Sequence, residues 1–160
     1  MGVSGCGKTT VGQSLAYHLH QHFYDADDFH TPESREKMSK SVPLNDKDRE
    51  PWLEKLAELL AGSDCVLACS ALKRKYMETM IKYMSDVDKV LFVYLMGSKE
   101  VIGSRLTNRQ GHYFKAELLQ SQFDTLEKPS DDENVVIVDC EESIYTIVEK
   151  ISNILQNKQL

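Results

Sequence analysis

Near the start of the chain stands GVSGCGKTT, which contributes Gly2, Val3, Ser4, Gly5, Cys6, Gly7, Lys8, Thr9 and Thr10. The spacing Gly-x-x-x-x-Gly-Lys-Thr predicts a loop that wraps its backbone around phosphates. Glycines let successive N–H groups turn inward. A helix must follow, with the positive end of its dipole aimed at the same place. Lys8 then reaches the β- and γ-phosphates of a nucleotide such as ATP, and the Thr9 hydroxyl ligates Mg²⁺. At average residue frequencies the pattern arises by chance in roughly one chain of this length in two hundred. An amphipathic stretch follows it, as the motif requires. Cys6 contributes its backbone N–H.

A second group is DADD, Asp25 to Asp28, after the short apolar run HFY. If HFYDAD is extended, Asp25 and Asp27 point the same way. Carboxylates at the C-terminal end of a strand lie where ligands bind in parallel sheets. One suits Mg²⁺ held through water, and the next suits a proton taken from a substrate hydroxyl. The plainer reading is a solvated acidic turn. Basic residues form a third group. Arg105 and Arg109 are four apart and share a helix face. Arg109 enters RQGHYF, a polar break that reads as a lid, where a cation neutralises charge on a transferred phosphoryl group. Arg105 suits stacking on adenine. Lys73 and Arg74 follow CVLACSAL at another strand end, and Arg49 opens a helix. An anionic substrate needs such cations, although each alone is commonly a surface charge. His30 and His112 sit in polar segments beside these groups and suit a hydrogen bond to a polyol. His18, His20 and His22 have no accompanying carboxylate or cysteine spacing, so they are not read as a metal site.

Alternating short apolar runs and amphipathic stretches must hold these groups in place. Helices are expected over 9–20, 32–39, 46–60, 71–84, 99–108, 116–126 and 143–156. Strands are expected at 22–27, 65–69, 89–95 and 135–139. This alternation implies parallel strands joined by helical crossovers, a three-layer α/β/α domain. The 160 residues fit one domain, without repeats or a low-complexity linker. The lid is expected over about 109–115. The net charge of −6 disfavours nucleic acid and anionic membrane as partners. No apolar run is long enough to span a membrane, and no secretory signal precedes the loop, so a cytoplasmic location is expected. None of the four cysteines forms a C-x-x-C pair, and Cys65 and Cys69, four apart in CVLAC, read as small buried hydrophobes.

Phosphate loop, paired aspartates and lid arginines together specify a small-molecule kinase without specifying its acceptor. The stretches GVSGCGKTTVG, FYDADDFH, KMSKSVPLNDKDREPWL, ACSALKRKY, RLTNRQGHYF and LLQSQFDTLEKP are similar, in order, to those of the gluconokinases. These belong to the P-loop kinases of the nucleoside-monophosphate- and shikimate-kinase-like group. The resemblance runs from residue 2 to about residue 129. It implies ATP-dependent phosphorylation of D-gluconate at its 6-hydroxyl, feeding the pentose phosphate pathway, with Mg²⁺ as cofactor. It also implies roles for residues of this chain. Lys8 and Thr9 keep their phosphate and Mg²⁺ roles. Asp25 stands on the Mg²⁺ side, and Asp27 orients or deprotonates the acceptor hydroxyl. Arg49 meets the substrate carboxylate, and Lys73 and His30 line the same pocket. Arg105 is the adenine-side arginine and Arg109 the lid arginine. Gln122 is a substrate contact or a lid-hinge contact. The resemblance further implies the sheet order 2-3-1-4-5, with a helical region at about 30–61 covering the acceptor, and makes a homodimer plausible.

In the family an apolar strand, the central one, precedes the first glycine. Here Met1 alone stands before Gly2. The expectation is a sheet without its first strand. Losing about five apolar side chains from the core, at about 1.5–3 kcal/mol each, costs several kcal/mol. Two other readings stay open. One is another kinase of the same fold, shikimate-kinase-like, although the glycine-rich run after that family's third strand is replaced by SALKR. The other is a truncated, non-catalytic nucleotide-binding form, which has no need of Lys8, Asp27 and Arg109.

Overall fold

A computed structural model describes residues 1–40, 42–108, 116–129 and 134–158. Helices and strands alternate along them as α1 (Lys8–Leu19), β1 (His22–Asp25), α2 (Pro32–Ser39), α3 (Asp46–Gly62), β2 (Cys65–Ala68), α4 (Arg74–Ile81), β3 (Phe92–Met96), α5 (Lys99–Thr107), α6 (Ala116–Thr125), β4 (Val135–Asp139) and α7 (Ile144–Lys158). The α/β/α architecture expected from the alternation is the one found. The segment 109–115, with Arg109 and His112, lies outside the described residues.

Local chemistry sets the element ends. Asn45 caps α3 by accepting the Asp48 N–H at 2.9 Å, while the Asp48 carboxylate accepts the Asn45 N–H at 3.1 Å. Two donors that the first turn would leave unpaired are thereby satisfied reciprocally. Arg49 follows directly, so the cap also fixes where its side chain leaves the helix. Thr31 caps α2, its side chain accepting the Ser34 N–H at 3.2 Å, with Pro32 at the first helical position.

Both faces of the strands are covered. On one, Val66, Val93 and Val136 pack with Val11 and Leu15 of α1, Ile102 of α5 and Ile147 and Ile151 of α7. On the other, Leu67, Phe92 and Val135 pack with Trp52, Leu53 and Leu56 of α3 and Tyr76, Met77 and Met80 of α4. Neighbouring strand residues fall in opposite cores, as the two-residue period of a strand requires.

The described strands form two parallel pairs. In β1–β2 His22 stands opposite Cys65 and Asp25 opposite Ala68; in β3–β4 Phe92 stands opposite Val135 and Met96 opposite Asp139. Met1 and Gly2 lie between the pairs. The N-terminal ammonium donates to the Val93 carbonyl at 2.5 Å, and the Leu95 N–H donates to the Met1 carbonyl at 3.0 Å. The Gly2 N–H donates to the Ser70 carbonyl, just past β2, at 3.1 Å. The spatial order is therefore β1, β2, Met1–Gly2, β3, β4, which matches 2-3-1-4-5 with the residues before the loop in the first position. Toward the C-terminal ends of β2 and β3, Ala68, Tyr94 and Leu95 are buried. Toward their N-terminal ends, Cys65, Val66, Leu67, Phe92 and Val93 are half-buried. The sheet is thus best closed where it meets the phosphate loop.

One expected element differs in a way that matters. HFYDAD is not extended throughout: β1 ends at Asp25, and Ala26–Phe29 form a one-turn 3₁₀ helix. The Asp25 carboxylate accepts the Asp27 N–H at 3.2 Å, an aspartate turn that competes with continued strand. Asp27 is therefore set by this turn, and the alternation of a strand does not decide where it points.

Candidate active site

The phosphate loop joins Met1–Gly2 to α1 at the C-terminal edge of the strands. Gly7 is the N-cap of α1, with φ 101° and ψ 14°, a left-handed conformation costly for any residue with a side chain. A Cβ at Gly7 would meet no atom within 4 Å, so that side of the loop faces the cavity. Gly5, with φ 85°, is needed for a second reason: a Cβ there would come within 2.6 Å of the Leu106 side chain. No side chain caps α1, and its first turn holds no acidic residue. Among the described residues, no hydrogen bond is made by the N–H groups of Gly5, Gly7, Lys8 or Thr9. They form a ready site for anionic oxygen. Cys6 differs from expectation. Its N–H faces the Val3 carbonyl at 3.4 Å, and its side chain is buried. The Lys8 ammonium rests on the same Val3 carbonyl at 2.9 Å.

The Thr9 hydroxyl donates to the Asp25 carboxylate at 2.9 Å. This sets two hard oxygen donors side by side at the loop, as Mg²⁺ prefers. No group of three or more His, Cys, Asp or Glu side chains able to hold a metal occurs among the described residues. The donor set fits a Mg²⁺ that keeps waters and phosphate oxygens as its other ligands, rather than an all-protein cage.

A cavity of about 1040 Å³ runs from this loop past Asp25 and Asp27 to His30, Arg49 and Trp52. Met38, Val42, Pro43 and Leu44 give it an apolar wall at that far end. At the other end it is lined by Arg105, Asn108, Cys140 and Ile144. Arg105 is fixed there by bonds to the Cys140 carbonyl at 2.9 Å and to its Sγ at 3.4 Å.

His30 is buried and stacked on Trp52, with ring centroids 4.5 Å apart and planes 14° from parallel. Its Nε2 lies 3.8 Å from the Asp27 carboxylate, and its Nδ1 is buried with no partner among the described residues. Trp52 also donates its indole N–H to the Ala26 carbonyl at 2.7 Å. One aromatic side chain therefore steadies both the imidazole and the turn that carries Asp27. Along the sequence Trp52 reads as part of an apolar stripe with Leu53, Leu56, Leu59 and Leu60. The available signal was that a buried indole N–H requires an acceptor.

Burial lowers the His30 pKa below its ordinary 6.5, ahead of the opposing pull of Asp27, and the Arg49 and Arg35 charges lower it further. Folding then has to release a proton that the unfolded chain holds below pH 6.5, so stability is lost as pH falls through that value. The expected result is a melting temperature that drops more between pH 7.5 and 5.5 for the wild type than for His30→Asn. Parallel curves for the two would show that His30 does not carry this dependence.

The remaining expected residues are distributed unevenly. The Arg49 side chain donates to the Leu44 carbonyl at 3.3 Å and lies 5.8 Å from the Tyr76 ring centre. Its Nε is buried and has no partner among the described residues. Lys73 pairs with Asp46 at 3.2 Å and is not among the residues lining the cavity. Lys75 and the Tyr76 hydroxyl bond the same carboxylate. These three partners hold the Asp46 carboxyl well below the usual range. Burial, reinforced by Asp46, pushes the Tyr76 phenol up to about 12. Gln122 reaches the phosphate loop, where it contacts Ser4.

Known proteins resemble this chain in sequence and fold. The family model described as shikimate kinase matches residues 4–156. A probable gluconokinase of Xenopus tropicalis is 45% identical over 177 residues, covering 100% of this chain and 93% of that relative. The thermoresistant gluconokinase of Escherichia coli (strain K12) is 39% identical over 154 residues, covering 92% of this chain and 86% of that enzyme. The crystal structure of a gluconokinase from Sinorhizobium meliloti 1021 superposes with a TM-score of 0.89 at 38% identity, covering 98% of this chain and 91% of that one. With its phosphate loop, paired aspartates and two-ended cavity, the chain belongs to the gluconokinase family, within the wider shikimate-kinase group of P-loop kinases.

Proposed function

We propose that the chain transfers the γ-phosphoryl group of ATP to the 6-hydroxyl of D-gluconate. The observation that carries this is the cavity itself: phosphate-binding backbone and Arg105 at one end, Asp27, His30 and Arg49 at the other. ATP lies with its phosphates on the loop and its base toward Arg105. Gluconate lies against the apolar wall, with its carboxylate toward Arg49 and its 6-hydroxyl at Asp27. Arg49, already steadied by Leu44 and Tyr76 and with an unpaired buried nitrogen, supports the carboxylate assignment. Lys73, committed to Asp46 outside the cavity lining, is given no contact with gluconate.

On binding, Lys8 moves its ammonium from the Val3 carbonyl to the β- and γ-phosphates. Asp27 accepts the proton of the 6-hydroxyl as that oxygen bonds to the γ-phosphorus and the bond to the ADP oxygen breaks. Thr9 and Asp25 would hold Mg²⁺, which would neutralise phosphate charge when bound with the nucleotide. Arg109, carried by the 109–115 segment, serves as the lid arginine. The four cysteines, all free, suit the reducing conditions of the cytoplasm, where we place the enzyme. No helix among the described residues is long and apolar enough to cross a membrane.

The test is ADP release with ATP and Mg²⁺ in the presence of gluconate, shikimate or a nucleoside monophosphate. Turnover with gluconate alone is expected. Arg49→Ala is expected to raise the KM for gluconate about 10- to 100-fold, the scale of a lost charge-assisted hydrogen bond, and to change kcat little. An unchanged gluconate KM in that variant would sink the carboxylate assignment.

A further inference from the structure

Gln122 lies on α6, yet its carboxamide is taken up by the phosphate loop. Its Oε1 accepts the Ser4 N–H at 2.6 Å, and its Nε2 donates to the Ser4 hydroxyl oxygen at 3.0 Å. We propose that Gln122 is a positioning residue of the phosphate loop, clamping Ser4 through both bonds so that the loop keeps its nucleotide-ready shape before ATP arrives. This rests on the nucleotide half of the functional reading and not on the identity of the acceptor.

Three observations carry it. Ser4 lies between Gly2 (φ 139°) and Gly5 (φ 85°), so the loop around it has unusual conformational freedom. Ordering such a segment costs entropy that a bound ligand must otherwise offset, and a pre-formed contact removes that cost from the binding step. The chemistry is matched too: a carboxamide offers one acceptor and one donor group, and Ser4 presents one N–H and one hydroxyl. Finally, α6 is anchored without Gln122. Leu119 is 3% exposed, and Phe123 and Leu126 pack on the same core. Beyond the helix, the Glu127 N–H donates to the Leu72 carbonyl at 2.8 Å, and the Glu127 carboxylate accepts the Arg74 N–H at 2.7 Å. Shortening Gln122 therefore frees Ser4 and leaves the helix seated. Each end of the carboxamide is already engaged, which argues against Gln122 as primarily an acceptor contact.

The test measures dissociation constants for ADP with Mg²⁺, without acceptor, by calorimetry, and KM for gluconate in parallel. Gln122→Ala and Gln122→Asn are both expected to weaken ADP binding about tenfold, from two hydrogen bonds of modest net strength. Melting temperatures are expected to match wild type, and the gluconate KM to stay within about twofold, because α6 and the acceptor end keep their own contacts. Ser4→Ala loses only the hydroxyl half and is expected to show a smaller loss. In the double variant with Gln122→Ala the effects are expected to combine to less than their product, since they report one contact. ADP binding unchanged in both Gln122 variants overturns the clamp. So does a raised gluconate KM with unaltered ADP binding, which would make Gln122 an acceptor contact, and so do fully multiplicative effects. If the expected ADP losses occur in a chain that does not phosphorylate gluconate, the clamp stands and the acceptor reading falls.

Discussion

Exchanging Asp27 for Asn is expected to lower kcat for gluconate phosphorylation by about 10³-fold, the middle of the range for a positioned general base. The KM for ATP should move by no more than about threefold, because the proposed arrangement leaves nucleotide binding to the loop, Lys8 and Arg105. The geometry makes the substitution clean. The Asp27 side chain is 78% exposed toward the cavity, so its packing contribution is small. Its N–H, which fixes the turn through Asp25, is untouched by the change. Asn keeps the size and a hydrogen-bond acceptor but cannot take up the hydroxyl proton at neutral pH. Steady-state kinetics by coupled ADP release decide the matter. A loss smaller than tenfold would mean that Asp27 only orients the hydroxyl, or that the acceptor sits elsewhere in the cavity.

Lys8→Met is expected to reduce kcat by a factor of about 10²–10³, the scale seen when one preorganised charge is removed from a transition state. The physical basis is the charge that develops on the transferred phosphoryl oxygens in a site screened from water. Lys8 is already aimed into the loop, where its ammonium bonds the Val3 carbonyl at 2.9 Å. That bond is lost in the variant, so some loosening of the loop accompanies the loss of charge. Thermal melting separates the two effects: a melting temperature near that of wild type, alongside the loss of kcat, assigns the loss to chemistry. Retention of more than a tenth of wild-type kcat would show that Lys8 is not the principal cation at the transferred group.

Much of this protein was legible along the chain. Local rules fix the phosphate loop, because glycine spacing, a lysine and a hydroxyl residue carry their own geometry. They also place most of the helices, where the apolar period is clear, and the β4 strand, a short apolar run bounded by polar residues. Asp25 and Asp27 of DADD, which line the cavity, were already candidates in the sequence, since carboxylates at a strand end have few structural uses. What local rules misjudge is where the strand stops. Asp25 turns back on the Asp27 N–H, and that local bond outcompetes one more step of strand pairing. Short boundaries of this kind depend on a difference of about one hydrogen bond, which is too small for periodicity to reveal.

Only the tertiary structure decides which distant groups meet. Residue 4 finds residue 122, residue 26 finds Trp52, and Lys73 is claimed by Asp46 before it reaches the cavity. No spacing rule connects these pairs, because they are brought together by the stacking of helices on the two faces of the sheet. The same stacking turns Trp52 from an apolar residue on a helix stripe into the support of His30 and of the turn beneath Asp27. By itself the sequence determined the chemistry on offer, because residue type and short spacing suffice to make a phosphate loop. The tertiary structure decided which of those residues face one another, because long-range packing alone sets the distances across a cavity.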